Sequence, residues 1–381
     1  MKSNRILVIG AGVIGATTAY ELLEKGYEVI LLAKQFAQGD YSVTSEVAGA
    51  QWEYPPGFCG RHNTDIKLEK PKKWAMVSYN EFKALSKNSS QTGVFWRPMY
   101  VLFQQKMEET PEQAQKLKEM SNIPTFRHSA SLIKETGIST TDFVPVVDAY
   151  CVQAPAIDTV VFMKWIYNEC RVKGAKFVKG EIKGKLIEQI KDLKEKYNVD
   201  LVMNCTGVAA KELAGDEKVL PLRGFVLKIK NDGVLMPKLK FSLALDYVKL
   251  LNLEDENDIS NLHFYIIPRG NHSIWIGGSI EENRTDIAEA DMSHELARKI
   301  LDNAKAFFPP LRAFEYKDVE QVIVGIRPAR KDEIRNEIDP ECPALIHNYG
   351  HGGNGVLLSW GSAVDAANLA EKAIAKNHIS Q

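Results

Sequence analysis

Two glycine clusters carry the clearest chemistry in this chain. The first is Gly10-x-Gly12-x-x-Gly15, placed directly after the apolar run Ile6-Leu7-Val8-Ile9. That run reads as a buried strand, and Ala16, Ala19, Leu22 and Leu23 continue at helical spacing. Gly10 permits the tight turn, Gly12 lets a pyrophosphate approach the backbone, and Gly15 lets the helix pack on the strand. The N–H groups and positive dipole end of the helix then face phosphate oxygens. Gly10, Ala11, Gly12, Val13, Ile14 and Gly15 are therefore candidate dinucleotide contacts. The second cluster is Gly350-His351-Gly352-Gly353-Asn354-Gly355, near the other end of the chain. It joins a strand, Ala344 to Tyr349, to a helix of small residues from Val356 to Lys376. A helix start favours negative charge by roughly 0.3–2 kcal/mol, and an anionic reduced flavin ring would suit it. Gly352, Gly353, Asn354, Gly355 and Val356 join the candidate contacts.

The glycine spacing leaves a nicotinamide and a flavin dinucleotide both open. One expected part is missing. Dinucleotide folds place an acid for the adenosine ribose near the end of the second strand. Here that strand, Glu28 to Leu32, runs into Ala33-Lys34-Gln35. Either another group takes the ribose, or a 2′-phosphate is bound.

The bulk numbers set the frame. The chain has 381 residues, 45% of them hydrophobic, enough for two domains. Lys and Arg number 48 against 49 Asp and Glu, which gives no global case for binding nucleic acid or an anionic membrane. The five cysteines (Cys59, Cys151, Cys170, Cys205, Cys342) are scattered and form no C-x-x-C. Neither a disulfide framework nor a zinc cluster is indicated, no metal is expected, and a reducing cytosol fits. Lys2 and Arg5 before an apolar run imitate a signal peptide, but the glycine pattern explains the run better. No apolar stretch is long enough to span a bilayer. The last residues are no peroxisomal address. The expectation is a cytoplasmic protein, with a homodimer left open.

The elements that must position these clusters follow in order. Ser42 to Trp52 is small and hydroxylated, and it follows the second strand, so Thr44, Ser45, Gly49 and Ala50 are ligand candidates. Trp74 to Leu85 reads as a helix. Val94 to Phe103 reads as a strand pair or one bent strand, because Pro98 cannot sit in a central ladder. Gln105 to Asn122 is a solvated helix, and Val144 to Ala156 is one or two strands. Asp158 caps a helix that stops at Gly174. Ala175 to Val178 is a short strand. Asp200 to Gly207 is another, ending in a turn that adds Cys205, Thr206 and Gly207. Four alternating strands from Arg223 to Ile276 imply an antiparallel sheet. Glu254 to Asn261 reads as a mobile acidic loop. A helix, Ser293 to Phe307, precedes a strand from Val319 to Ile326. The fold class is α/β: a discontinuous Rossmann-like dinucleotide domain (residues 1–80, 140–222 and 319–381) with an inserted, mainly antiparallel-sheet substrate domain (81–139 and 223–318).

Several stretches together resemble the D-amino acid oxidase family of flavoenzymes, which includes D-aspartate oxidase. They are Val8 to Gly15, Asn204-Cys205-Thr206-Gly207-Val208, Arg223-Gly224, Tyr265-Ile266-Ile267-Pro268, Gly325-Ile326-Arg327-Pro328-Ala329-Arg330 and His347 to Gly355. They run in family order from end to end. The resemblance implies non-covalent FAD, with Ile182 among its contacts, and oxidation of a D-amino acid by hydride transfer from Cα to flavin N5. The imine would hydrolyse to a keto acid and ammonia, and oxygen would reoxidise the flavin, giving peroxide. It implies that Arg327 clamps the substrate carboxylate and adjoins the flavin, that the Tyr265 hydroxyl donates to the same carboxylate, and that backbone at Gly353 takes the amino group. A guanidinium fork does match a carboxylate bidentately. Catalysis would then be mostly orientation and desolvation.

Two departures stand out. A lid tyrosine of the family is replaced by Asn261. The pocket stretch reads Gln51-Trp52-Glu53 where apolar and amide residues are usual. Gln51, Glu53, Asn261 and Ile267 are the expected pocket residues, and Gln51 and Glu53 would favour a polar or basic side chain. A glycine or sarcosine-type amine oxidase, an amino acid dehydrogenase and a non-catalytic flavin-binding protein are the rivals.

Overall fold

The computed structural model describes residues 4–56, 65–246, 264–287 and 290–379. In chain order its strands are β1 (Arg5–Ile9), β2 (Glu28–Ala33), β3 (Val94–Phe103), β4 (Arg127–His128), β5 (Asp148–Ile157), β6 (Lys176–Lys179), β7 (Leu201–Asn204) and β8 (Val219–Lys230). They continue as β9 (Ser242–Leu245), β10 (Tyr265–Arg269), β11 (Ser273–Gly277), β12 (Glu281–Glu282), β13 (Val319–Arg330), β14 (Arg335–Ile338) and β15 (Leu345–Tyr349). Six of them form a sheet ordered β14-β15-β7-β1-β2-β6, parallel except for the β14–β15 pair.

Alternation along β1 explains why this sheet is covered on both faces. Ile6 and Val8 point to one side, where they meet Leu22 of the first helix (Val13–Glu24), Phe162 and Ile166 of the helix Thr159–Val172, and Trp360 of the last helix (Gly355–Ile379). Leu7 and Ile9 point to the other, against Leu186, Ile190 and Leu193 of the helix Leu186–Tyr197. Small residues allow the close helix packing. A Cβ on Gly361 would lie 2.2 Å from Trp74 Cα, which is where the helix Asp65–Leu85 crosses the last helix.

The second sheet has nine strands. It is ordered β12-β8-β11-β10-β9-β3-β5-β4, with β13 also paired to β8. Every pair is antiparallel except β3–β9. Phe225, Leu227, Ile266, Ile274 and Ile276 face the helix Glu295–Phe307, which contributes Ala297, Ile300, Leu301 and Ala304. Each fully buried aliphatic side chain there is worth roughly 1.5–3 kcal/mol. The intervening residues, Gly224, Val226, Ala244, Tyr265 and Ile267, therefore turn to the opposite face, which is open to a cavity.

Several elements differ from the sequence reading. Val94 to Phe103 is one strand. Pro98 is tolerated because β9 pairs with β3 only from Met99 onward, so the missing N–H falls outside that ladder. The helix expected from Trp74 begins at Asp65, and the one expected over Gln105 to Asn122 shrinks to Pro111–Met120, capped by the Thr110 hydroxyl. Strand β13 runs on to Arg330, so Arg327 lies within it. The helix Leu186–Tyr197, with apolar residues at helical spacing, was not anticipated. Strands β5 and β13 fall in segments grouped with the dinucleotide domain on sequence, yet they hydrogen-bond into the antiparallel sheet. The expected acidic loop, Glu254 to Asn261, lies outside the described residues.

Candidate active site

A cavity of about 1230 Å³ lies between the carboxyl ends of the parallel strands and the open face of the antiparallel sheet. Gly10, Ala11, Gly12, Val13, Ile14, Thr44, Ser45, Gly49, Ala50, Ile182, Cys205, Thr206 and Gly207 line it. So do Gly352, Gly353, Asn354, Gly355, Val356, Gln51, Glu53, Tyr265, Ile267 and Arg327. Gly15 stands behind the wall, where its Cβ would meet the Gly10 carbonyl oxygen at 1.8 Å. Asn261 is outside the described residues.

The phosphate end is made of backbone. Gly10 has φ +98°, and a Cβ on it would sit 2.4 Å from the Cys205 carbonyl oxygen. No side chain caps the first helix from Gly12. The Val13 N–H instead donates to the Ser45 hydroxyl at 2.8 Å, which draws the Thr44–Val47 turn onto the helix start. Behind the wall, the Thr206 hydroxyl donates to Asn204 at 2.7 Å, Asn204 bonds the His347 ring at 3.2 Å, and His347 bonds Asp339 at 2.9 Å. Burial raises the Cys205 thiol to about 12, so Cys205 packs and does not react. At the second cluster, Gly352–Asn354 forms a single tight turn into the last helix. Burial lowers His351 to about 3, so its ring is neutral, and its Nε2 has no hydrogen-bond partner among the described residues. A glycine cradle at a helix start and an orphaned ring nitrogen in the second cluster fit a flavin dinucleotide.

The opposite end is made of side chains. A Cβ on Gly278 would lie 3.5 Å from Tyr265 Oη and 3.6 Å from Arg327 Nη2, so the two polar groups converge on one spot. Glycines make the room. A Cβ on Gly224 would be 2.2 Å from Arg327 Nη1, and one on Gly277 would be 2.0 Å from Tyr265 Cζ. Arg327 Nη1 donates to the Ser279 carbonyl at 2.9 Å, which fixes the guanidinium plane. A bridge between Ala329 and His351 ties the Arg327 strand to the second glycine cluster.

Beyond this pair the cavity wall is charged. Lys116 lies 3.4 Å from Asp246 and 3.9 Å from Glu53, with its ammonium over the Tyr150 ring at 5.5 Å. Burial works to lower its pKa, but Asp246, Tyr150 and Glu53 outweigh that and hold it protonated. Gln113 donates to Asp246 at 3.0 Å. Lys116, Asp246 and Gln113 were not foreseen, because they come from segments with no periodic or glycine signal. Arg269 was also missed. It is buried, lies 3.8 Å from the Trp275 ring and donates to the Ala48 carbonyl, which braces the segment carrying Gly49 and Ala50. Away from the cavity, Glu108, His128 and Asp148 approach one another, but Asp148 also accepts from the backbone N–H of Met107 and of Ala149.

Residues 5–369 match the model of the DAO family, described as FAD dependent oxidoreductase. The chain is 29% identical to the D-amino-acid oxidase of Streptomyces coelicolor and 28% identical to that of Rubrobacter xylanophilus, covering 97% of both chains in each case. Its fold matches the glycine oxidase of Bacillus cereus with a TM-score of 0.72 at 19% identity, covering 97% of this chain and 95% of that one. The L-proline dehydrogenase of P. horikoshii matches with a TM-score of 0.72 at 17% identity, covering 97% and 94%. None of the described helices is long and apolar enough to cross a membrane. With two glycine turns facing one cavity and a family match over nearly its whole length, this chain belongs to the DAO family of FAD-dependent oxidoreductases.

Proposed function

We propose that this chain oxidises D-amino acids to imino acids, with oxygen as the final acceptor. The observation that carries this reading is that Tyr265 and Arg327 both line the cavity, with Tyr265 Oη and Arg327 Nη2 at 3.5 and 3.6 Å from one point beside Gly278. A guanidinium and a phenol hydroxyl, both donors, are matched to a carboxylate. Bound FAD supplies the hydride acceptor. The chain supplies position: Arg327 and Tyr265 hold the carboxylate, and the Gly353 carbonyl accepts from the amino group. With both ends held, the Cα–H has one orientation, and fixing reactants in this way is worth roughly 7–11 kcal/mol of barrier at best. His351 stays neutral well below physiological pH and is not a charged participant.

The side chain would extend toward Gln51, Glu53, Lys116 and Asp246. Two carboxylates against one ammonium favour a polar or cationic side chain over an apolar one. A peroxide assay over D-, L- and N-methyl amino acids tests both levels. D-lysine, D-arginine and D-glutamine should exceed D-alanine and D-phenylalanine in kcat/KM. Faster turnover of D-alanine or D-phenylalanine would remove the side-chain reading, and turnover of sarcosine alone would shift the protein to the glycine-oxidase reading suggested by its structural neighbours.

A further inference from the structure

An acid lies just past the end of the strand beside β2. In place of a carboxylate, β2 runs into Lys34 and Gln35, both of which line the cavity. Strand β6 lies beside β2 in parallel register, with Ala33 opposite Lys179, and the Gly180 N–H donates to the Ala33 carbonyl at 2.9 Å. The next residue is Glu181. It also lines the cavity, and its Oε1 accepts from Lys34 Nζ at 2.7 Å. No other acid among the described lining residues belongs to the parallel-sheet end; Glu53, Glu112, Glu119 and Asp246 lie with the opposite wall. The first glycine turn sits over β1, so a dinucleotide whose pyrophosphate lies there has its adenosine over β2 and β6.

We propose that Glu181 takes the adenosine ribose hydroxyls of FAD, supplying from just past β6 the carboxylate that dinucleotide folds ordinarily place at the end of β2. Lys34 steers it: one carboxylate oxygen holds the ammonium, and the other has no protein partner among the described residues. The same pair disfavours a 2′-phosphate, the other option left by the sequence. An added dianion would meet a carboxylate, and the ammonium that could offset it is already paired. An acid brought by a different strand is invisible to a search keyed to the end of β2.

The test uses the apoprotein and reads binding, not turnover. FAD is titrated by flavin fluorescence, and ADP and 2′,3′-dideoxy-ADP are used as competitors. For the parent, ADP should compete about tenfold better than the dideoxy compound, the size of one or two charged hydrogen bonds in a solvent-exposed setting. In Glu181→Ala and Glu181→Gln this preference should vanish, FAD affinity should fall by about the same factor, and dideoxy-ADP should be unaffected. Lys34→Ala should keep the ADP preference. The double exchange Lys34→Glu with Glu181→Lys, which moves the acid to β2, should restore it. Equal losses for ADP and dideoxy-ADP in Glu181→Ala would mean that Glu181 only braces the strand ends. An unchanged preference would remove Glu181 from the subsite altogether.

Discussion

At the phosphate end of the cavity the wall is backbone held in glycine conformations, and at the amino-acid end it is side chains converging from distant strands. Gly10, Gly12 and Gly15 lie within six residues, while Tyr265 and Arg327 sit on β10 and β13 and meet only once the nine-stranded sheet has formed. The first end is a local device. Strand, turn and helix create it wherever they occur together, and its specificity is for charge and close approach. The second is a tertiary device. Its glycines, Gly224, Gly277 and Gly278, clear space for an arginine and a tyrosine. Substitutions at the two ends should therefore fail differently, the first in folding and cofactor retention, the second in turnover.

The largest effect is expected from Gly10→Ala. A positive φ and a Cβ 2.4 Å from the Cys205 carbonyl leave no relaxed solution. A loss of about 4 kcal/mol in stability is expected, with little flavin retained. Denaturant unfolding and the flavin absorbance of the purified protein check it, and a stable yellow Gly10→Ala protein would break the comparison. Next comes Arg327→Ala, for which kcat/KM should fall by at least about a hundredfold, corresponding to a bidentate charged pair of about 3 kcal/mol, while flavin content is kept. Flavin loss comparable to that of Gly10→Ala would place Arg327 with the cofactor scaffold. Tyr265→Phe should be milder, about tenfold in kcat/KM, because one hydroxyl bond is removed and the ring stays. Gly277→Ala should match or exceed it, since its Cβ displaces the Tyr265 ring.

Legibility divides along the same line. The dinucleotide turn could be read from Ile6 to Gly15 because periodicity and glycine spacing are local signals. The Tyr265–Arg327 pairing could not be derived that way and came through resemblance. Lys116 and Asp246 carried no signal, since one sits on a polar helix and the other just past a four-residue strand; only packing brings them to 3.4 Å. Arg269 escaped for a related reason. A buried arginine is rare unless paired, and its partners Asp158, Thr159 and Ala48 are far away in sequence. Pro98 misled in the opposite direction. The rule against proline in a central ladder holds, but β9 begins to pair one residue later, so the strand is unbroken.

The smallest effect concerns a partly buried charge on the first helix away from the cavity, and it tests whether the phosphate end depends on backbone alone. Glu21, on the first helix, is raised from an ordinary 4.5 to about 7 by burial, and then by Glu81 and Glu24. The folded chain binds this proton more tightly than the unfolded chain does. Its contribution to stability is therefore full below about pH 4.5 and is lost as the pH rises through 7. Glu21→Gln should match the parent at pH 4.5 and exceed it at pH 8. The gain is about 1 kcal/mol at most, once solvent screening of a partly exposed group is allowed for. Melting temperatures at the two pH values measure the difference, and an equal shift at both would show that packing, not ionisation, is responsible. FAD affinity should not change at either pH, because Glu21 lies two turns beyond the Gly12 end of the helix, where the N–H groups that meet phosphate have already been spent on the first turn.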